Sequence, residues 1–173
     1  MADKVIIAGH SAGGGLTTAV SLKARDSQDV TVAFQMPIYP MTDDVQPDDP
    51  ARAIQSPVWD TELNRCGWNA YLADVRKHGE DVPVYAAPAR NTDWHGMSPT
   101  ITLVGTLEPF YQETLAYVEA LKNANIEVAF KRYEGCFHSF DLVAPKAEVS
   151  KNALDFTLQS YADFYDKFCC IDG

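Results

Sequence analysis

Cysteine is scarce and poorly spaced for a covalent framework: Cys66, Cys136, Cys169 and Cys170 are the four in 173 residues, with no C-x-x-C pair among them. The last two are adjacent, where a disulfide would be strained, so free thiols are expected. Cys136 and His138 together offer two ligands where a structural zinc takes four, so no metal is expected, and nothing in the chain asks for a cofactor. Basic residues are also in short supply, 14 Lys and Arg against 24 Asp and Glu, for a net charge of −10. That balance disfavours nucleic acid or an anionic membrane surface as a partner, because both need basic patches, and it leaves a neutral small molecule unaffected. No apolar run approaches the length of a membrane span. Met1-Ala2-Asp3-Lys4 lacks the charged and apolar regions of a signal peptide, which makes the cytoplasm the expected location. Internal repeats and low-complexity segments are missing too.

What the chain does have is enough apolar residues, 46% of 173, to bury one sizeable core, so residues 1–173 are expected to form a single domain. Its organising stretch is Val5-Ile6-Ile7-Ala8 followed at once by Gly9-His10-Ser11-Ala12-Gly13. An apolar, β-branched run ending in G-x-S-x-G, with small residues opening a helix behind it, predicts a strand-to-helix turn that lifts the Ser11 hydroxyl clear of its neighbours. Gly9 and Gly13 would remove the side chains that crowd such a turn. The helix that follows points its first free N–H groups at whatever reacts with Ser11, the N–H of Ala12 being one such donor. The plainer alternative is a Gly-rich turn carrying an idle serine.

A helix over about residues 14–25 and a strand over 30–36 complete a βαβ unit, which implies parallel strands with helices on both faces, three layers in all. Pro37 and Pro40 are expected to stop the strand. Residues 41–95 form an excursion of different character. It opens with an acidic, proline-broken loop over 41–50, continues with a helix capped by Ser56-Pro57, and places Trp59, Leu63, Cys66, Ala70 and Tyr71 on one face, read as core packing with substrate contact as the alternative. A third strand over 100–104 ends just before Glu108, where open parallel sheets place their functional groups. A helix from Tyr111 follows, then a fourth strand over 126–133, a loop carrying His138 and a last helix from about Pro145.

Three loops after three different strands thus offer Ser11, Glu108 and His138 in that order. A serine hydroxyl is a poor nucleophile until an imidazole takes its proton, and a carboxylate fixes the imidazole tautomer and stabilises its cation. Each residue also has a plainer reading: His138 as a packed histidine, Glu108 as an acid favoured at a helix N-terminus. The nearby Glu113 is kept as a second candidate for the acid. His10, Phe110 and Phe137, neighbours of the three, are candidates to line a substrate pocket, while His78 and His95 are expected in solvent.

These residues resemble the hormone-sensitive-lipase-like family of α/β hydrolases, which includes carboxylesterases and acetyl esterases. The likeness rests on Gly9-His10-Ser11-Ala12-Gly13-Gly14, on Gln35-Met36-Pro37-Ile38-Tyr39-Pro40, on Val84-Tyr85-Ala86-Ala87-Pro88-Ala89, on Val104-Gly105-Thr106-Leu107-Glu108-Pro109-Phe110 and on Tyr133-Glu134-Gly135-Cys136-Phe137-His138-Ser139-Phe140. By that resemblance Ser11 is the nucleophile, His138 the base, and Glu108 stands where the family usually has aspartate. It implies hydrolysis of short-chain carboxylic esters. It also implies that the chain corresponds to the last four strands of the fold, without an upstream half that supplies further strands, a His-Gly-Gly-Gly oxyanion loop and part of a lid. The elbow strand would then be a sheet edge, with apolar area around Leu16, Ala19 and Val20 uncovered. From this follow an expected homo-oligomer or partner chain carrying the upstream half, and an alternative reading as a catalytically weak remnant acting through association or binding. An acyltransferase would use the same three residues.

Overall fold

The computed structural model describes residues 4–45 and 53–170. Residues 46–52, which include the second half of the acidic stretch, and the first three residues, on which the signal-peptide reading partly rests, lie outside them. The elements run β1 (Val5–His10), α1 (Ala12–Ser27), β2 (Val32–Ile38), α2 (Thr61–Tyr71), α3 (Ala73–Lys77), a 3₁₀ turn (Pro88–Arg90), β3 (Thr100–Leu107), α4 (Tyr111–Asn123), β4 (Val128–Phe137), α5 (Phe140–Val143) and α6 (Glu148–Phe168). The four strands form one sheet in the order β1-β2-β3-β4, every pair parallel. All the strands therefore end on the same side, and Ser11, Glu108 and His138 follow the ends of β1, β3 and β4.

Two separate apolar clusters cover the sheet. Leu22 of α1 meets Tyr117 and Leu121 of α4 on one side, with Met97 beside them. Ala153 and Phe164 of α6 pack with Phe34, Ile101, Leu103, Val104 and Tyr133 on the other. The sheet thus lies between two helical layers, as the strand-helix alternation implies. β2 and β3 are buried almost throughout, because a parallel strand with neighbours on both sides and helices on both faces has no solvent side. β1 is the edge of the described sheet, with Val5 at 39% exposure. On α1, Leu16 and Val20 are about half exposed, whereas Ala19, grouped with them by sequence, is buried.

Several local expectations shift. β2 begins and ends two residues later than its apolar pattern suggests and takes in Pro37, opposite Gly9 in the register with β1. A proline there removes one donor without ending the strand. The helix expected after Ser56-Pro57 starts at Thr61, where the Asp60 side chain accepts the Leu63 N–H at 2.8 Å; Ser56 instead donates to the Trp59 carbonyl at 2.7 Å. Its buried face is Asn64 and Trp68, continued by Leu72, so Leu63, Cys66, Ala70 and Tyr71 are exposed and the stripe read as core is mostly surface.

Candidate active site

Ser11 occupies the single residue between β1 and α1, with φ 56° and ψ −122°. A non-glycine residue at positive φ costs about 1–3 kcal/mol and persists only where its surroundings over-determine it. They do so here from two directions. The Ser11 N–H donates to the Ile38 carbonyl at 3.0 Å, and the Ser11 carbonyl accepts from the N–H groups of Gly15 at 3.0 Å and Met41 at 3.1 Å. This close crossing needs bare backbone on the helix side: a Cβ on Gly9 would lie 2.8 Å from Thr17 Oγ1 and collide with the Gly13 carbonyl, and one on Gly15 would collide with the Met41 carbonyl. Gly13, which the motif suggests is required for the same reason, has nothing within 4 Å of the place a Cβ would take. Nothing in the described structure explains that glycine by crowding.

His138 follows the last residue of β4, in a turn completed by Ser139 at φ 58°. Its Nε2 lies 2.9 Å from Ser11 Oγ and its Nδ1 lies 2.5 Å from Glu108 Oε2. The other carboxylate oxygen, Glu108 Oε1, accepts the Gly105 N–H at 3.0 Å, so both oxygens are engaged. Glu108 is wholly buried and His138 nearly so. Burial pushes the Glu108 carboxyl above its ordinary value of 4.5, against the opposing pull of the His138 and Gly105 hydrogen bonds. The three side chains selected by their order in sequence are thus joined in one hydrogen-bonded row. That arrangement lets the imidazole take a proton from Ser11 while the carboxylate holds Nδ1 protonated.

Glu113 does not join them. Its Oε1 accepts the Thr42 and Asp43 N–H groups at 2.6 and 3.2 Å, and burial pushes its carboxyl up to about 8. The residues expected to line a pocket do not border the cavity at Ser11. Phe110 is fully buried and meets the His138 ring edge-on at 5.0 Å, supporting the imidazole. Phe137 packs against the core cluster beneath α6. His10 is exposed, its ring 5.5 Å from Tyr39.

The cavity beside Ser11 has a volume of about 400 Å³ and is lined, beyond Ser11 and Ala12, chiefly by Leu16, Met41, Trp59, Trp68 and Tyr71. These walls come from α1, from the segment after β2 and from the excursion before β3. Sequence reasoning missed them as a group, along with Tyr39. Tyr39, whose backbone has φ 36°, meets the His138 ring at 4.9 Å, and its hydroxyl donates to Asp141 Oδ1 at 3.1 Å. Its place in the Tyr39-Pro40 motif was the available signal. Among the described residues no three His, Cys, Asp or Glu side chains converge as metal ligands would, and no helix is long and apolar enough to cross a membrane.

Comparison with known proteins agrees with this fold. A family described by its alpha/beta hydrolase fold matches residues 1–142. Esterase LipI of Mycobacterium tuberculosis is 24% identical over 139 residues, which is 79% of this chain and 42% of that protein. Among solved structures, a bacterial heroin esterase superposes with a TM-score of 0.81 at 34% identity, covering 91% of this chain and 51% of the other. Esterase LipW from Mycobacterium marinum superposes with the same TM-score of 0.81 at 26% identity, covering 92% and 49%. The chain spans about half the length of the curated relatives it matches.

Proposed function

This chain belongs to the α/β-hydrolase fold family, in its hormone-sensitive-lipase-like branch, and on that premise we propose that it hydrolyses short-chain carboxylic esters with Ser11 as nucleophile, His138 as base and Glu108 as orienting acid. The observation that carries the reading is the placement of one imidazole between the Ser11 hydroxyl and the Glu108 carboxylate. Ser11 Oγ attacks the ester carbonyl as His138 Nε2 accepts its proton. The carbonyl oxygen, becoming negative, is met by the Ala12 N–H in the first turn of α1. His138 then returns the proton to the departing alcohol oxygen, and water repeats the sequence on the acyl-enzyme. The alcohol must therefore lie on the His138 side. The cavity at Ser11 borders Ala12 but not His138, so it is the place for the acyl chain, and its apolar walls suit a neutral one. Residues 41–95 supply Trp59, Trp68 and Tyr71 to that cavity and act as part of a lid.

The test is a fluorophosphonate probe, which reacts only with an activated serine. Labelling that disappears in Ser11→Ala and persists in Ser21→Ala supports the reading; a native chain inert at every probe concentration refutes it. The relatives named above carry about as much chain again, and the exposed edge at β1, with Leu16 and Val20, is where further strands would pair. We assign that edge to pairing with further strands of the fold, supplied by further sequence or by another chain, or replaced by a second copy. Sedimentation of this chain at micromolar concentration checks the second arrangement, which a clean monomer would exclude. The free thiols of all four cysteines suit the reducing cytoplasm.

A further inference from the structure

The strained turn at Ser11 is held from below by the segment that leaves β2. Ile38 accepts the Ser11 N–H, and Met41 donates its own N–H to the Ser11 carbonyl while its carbonyl presses on Gly15. That segment has no regular structure after Ile38, so something must fix Met41 where the turn needs it. Directly after Met41, two consecutive backbone N–H groups, those of Thr42 and Asp43, converge on a single oxygen, Glu113 Oε1, at 2.6 and 3.2 Å, and the Thr42 hydroxyl approaches the same oxygen at 3.3 Å. Glu113 reaches them from the first turn of α4, which begins three residues after Glu108. On the far side the Thr42 carbonyl accepts the Ala89 N–H at 3.1 Å, and Asp44 forms a two-pronged pair with Arg90 at 2.6 and 2.9 Å.

We propose that Glu113 is a positioning residue for the nucleophile: by gathering the Thr42 and Asp43 N–H groups on one oxygen it locks Met41 against the Ser11 carbonyl and keeps Ser11 in its reactive, strained conformation. The inference rests on Ser11 being the nucleophile. It accounts for a carboxyl group kept out of water, whose hydrogen-bond donors are the Thr42 and Asp43 N–H groups and the Thr42 hydroxyl. It also links the acid and the nucleophile mechanically. β3 carries Glu108 at its end and α4 carries Glu113 just beyond, so one loop orients the imidazole and braces the turn that holds the serine.

The requirement is for an acceptor oxygen at a given reach rather than for charge, and this sets the experiment. Glu113→Gln keeps an acceptor oxygen at the same distance, Glu113→Asp keeps a carboxyl group one methylene too short, and Glu113→Ala removes the acceptor altogether. Each is assayed on the full chain for its unfolding transition, for the rate of Ser11 labelling by a fluorophosphonate, and for kcat and KM on p-nitrophenyl butyrate. In folded samples the Gln variant should stay within about twofold of the native rate, while the Asp and Ala variants lose about tenfold in labelling rate and kcat with KM unchanged. A purely structural role would lower the unfolding temperature of the Ala variant and leave its kcat intact. Native-like kcat in folded Glu113→Asp or Glu113→Ala overturns the proposal, as does Glu113→Gln falling as far as Glu113→Ala. Should the Ala variant not fold, the Gln and Asp pair decides alone. Failure of the native chain itself to label at Ser11 is a different result: it removes the function reading on which this inference stands.

Discussion

Replacing Glu108 by glutamine tests the site most sharply, because the two shapes are nearly identical and only the hydrogen-bond polarity changes. In the native protein Oε1 accepts from the Gly105 N–H at 3.0 Å and Oε2 lies 2.5 Å from His138 Nδ1. A glutamine amide has one oxygen to give. If the oxygen keeps the Gly105 N–H, the amide nitrogen faces Nδ1, which must then be unprotonated, and the proton moves to Nε2. An Nε2–H cannot accept the Ser11 proton, so the base is lost. If the amide flips, two donors face each other at Gly105 in a site without exposure to water, a penalty of about 1–3 kcal/mol. Either way the imidazolium formed during reaction loses its carboxylate. Together these effects should slow Ser11 labelling and ester turnover about 10³-fold to 10⁴-fold, equivalent to roughly 4–5.5 kcal/mol. The assay compares kcat/KM and fluorophosphonate labelling rates of Glu108→Gln and native protein, both shown folded by a cooperative unfolding transition. Retention of activity within about tenfold would mean that Glu108 does not set the histidine tautomer.

Other substitutions probe the scaffold. Gly15→Ala should destabilise the fold by about 3 kcal/mol in urea unfolding, because the added carbon meets the Met41 carbonyl rather than a flexible side-chain tip, and a loss below about 0.5 kcal/mol would contradict that packing. Tyr39→Phe removes the hydroxyl that donates to Asp141 but keeps the ring on His138, so it should cost about 1 kcal/mol of stability and little turnover. Glu113→Gln should change how stability depends on pH. With the carboxyl raised by burial from 4.5 to about 8 in the folded chain, the folded state binds the proton more tightly than the unfolded one. The stability this contributes is complete below pH 4.5 and is lost as pH rises through about 8, by at most about 5 kcal/mol. Glutamine abolishes that loss, so the variant should gain on the native protein from pH 5 to pH 8. Asp43, whose carboxyl is also raised by burial, remains in both proteins, and its charge adds to the rise at Glu113. Parallel stability curves for the two proteins would refute the assignment.

How much of this was legible before folding follows from what each feature depends on. The strand, elbow and helix around Ser11 are local: β-branched residues, a turn and small helix-forming residues stand next to one another, and their backbone preferences do not need distant partners. The side on which Ser11, Glu108 and His138 emerge also follows from sequence, because βαβ crossovers join parallel strands and these all end on one side, while the strand order is what the family resemblance implies. The amino-acid order alone therefore determined the α/β architecture and the selection of the serine and the histidine. It could not decide which carboxylate the histidine meets, since Glu108 and Glu113 lie five residues apart and both follow β3. Tertiary structure decided that. The Gly105 N–H turns Glu108 toward His138, and the start of α4 turns Glu113 toward the backbone of Thr42 and Asp43. The walls around Ser11 were equally out of reach. Met41, Trp59, Trp68 and Tyr71 belong to an excursion whose helix starts four residues later than its Ser-Pro signal, so its inward face is rotated away from the one the pattern suggested. Periodicity reports which residues share a face. Only packing against the rest of the chain determines which face turns inward, because the free energy that chooses it comes from partners distant in sequence.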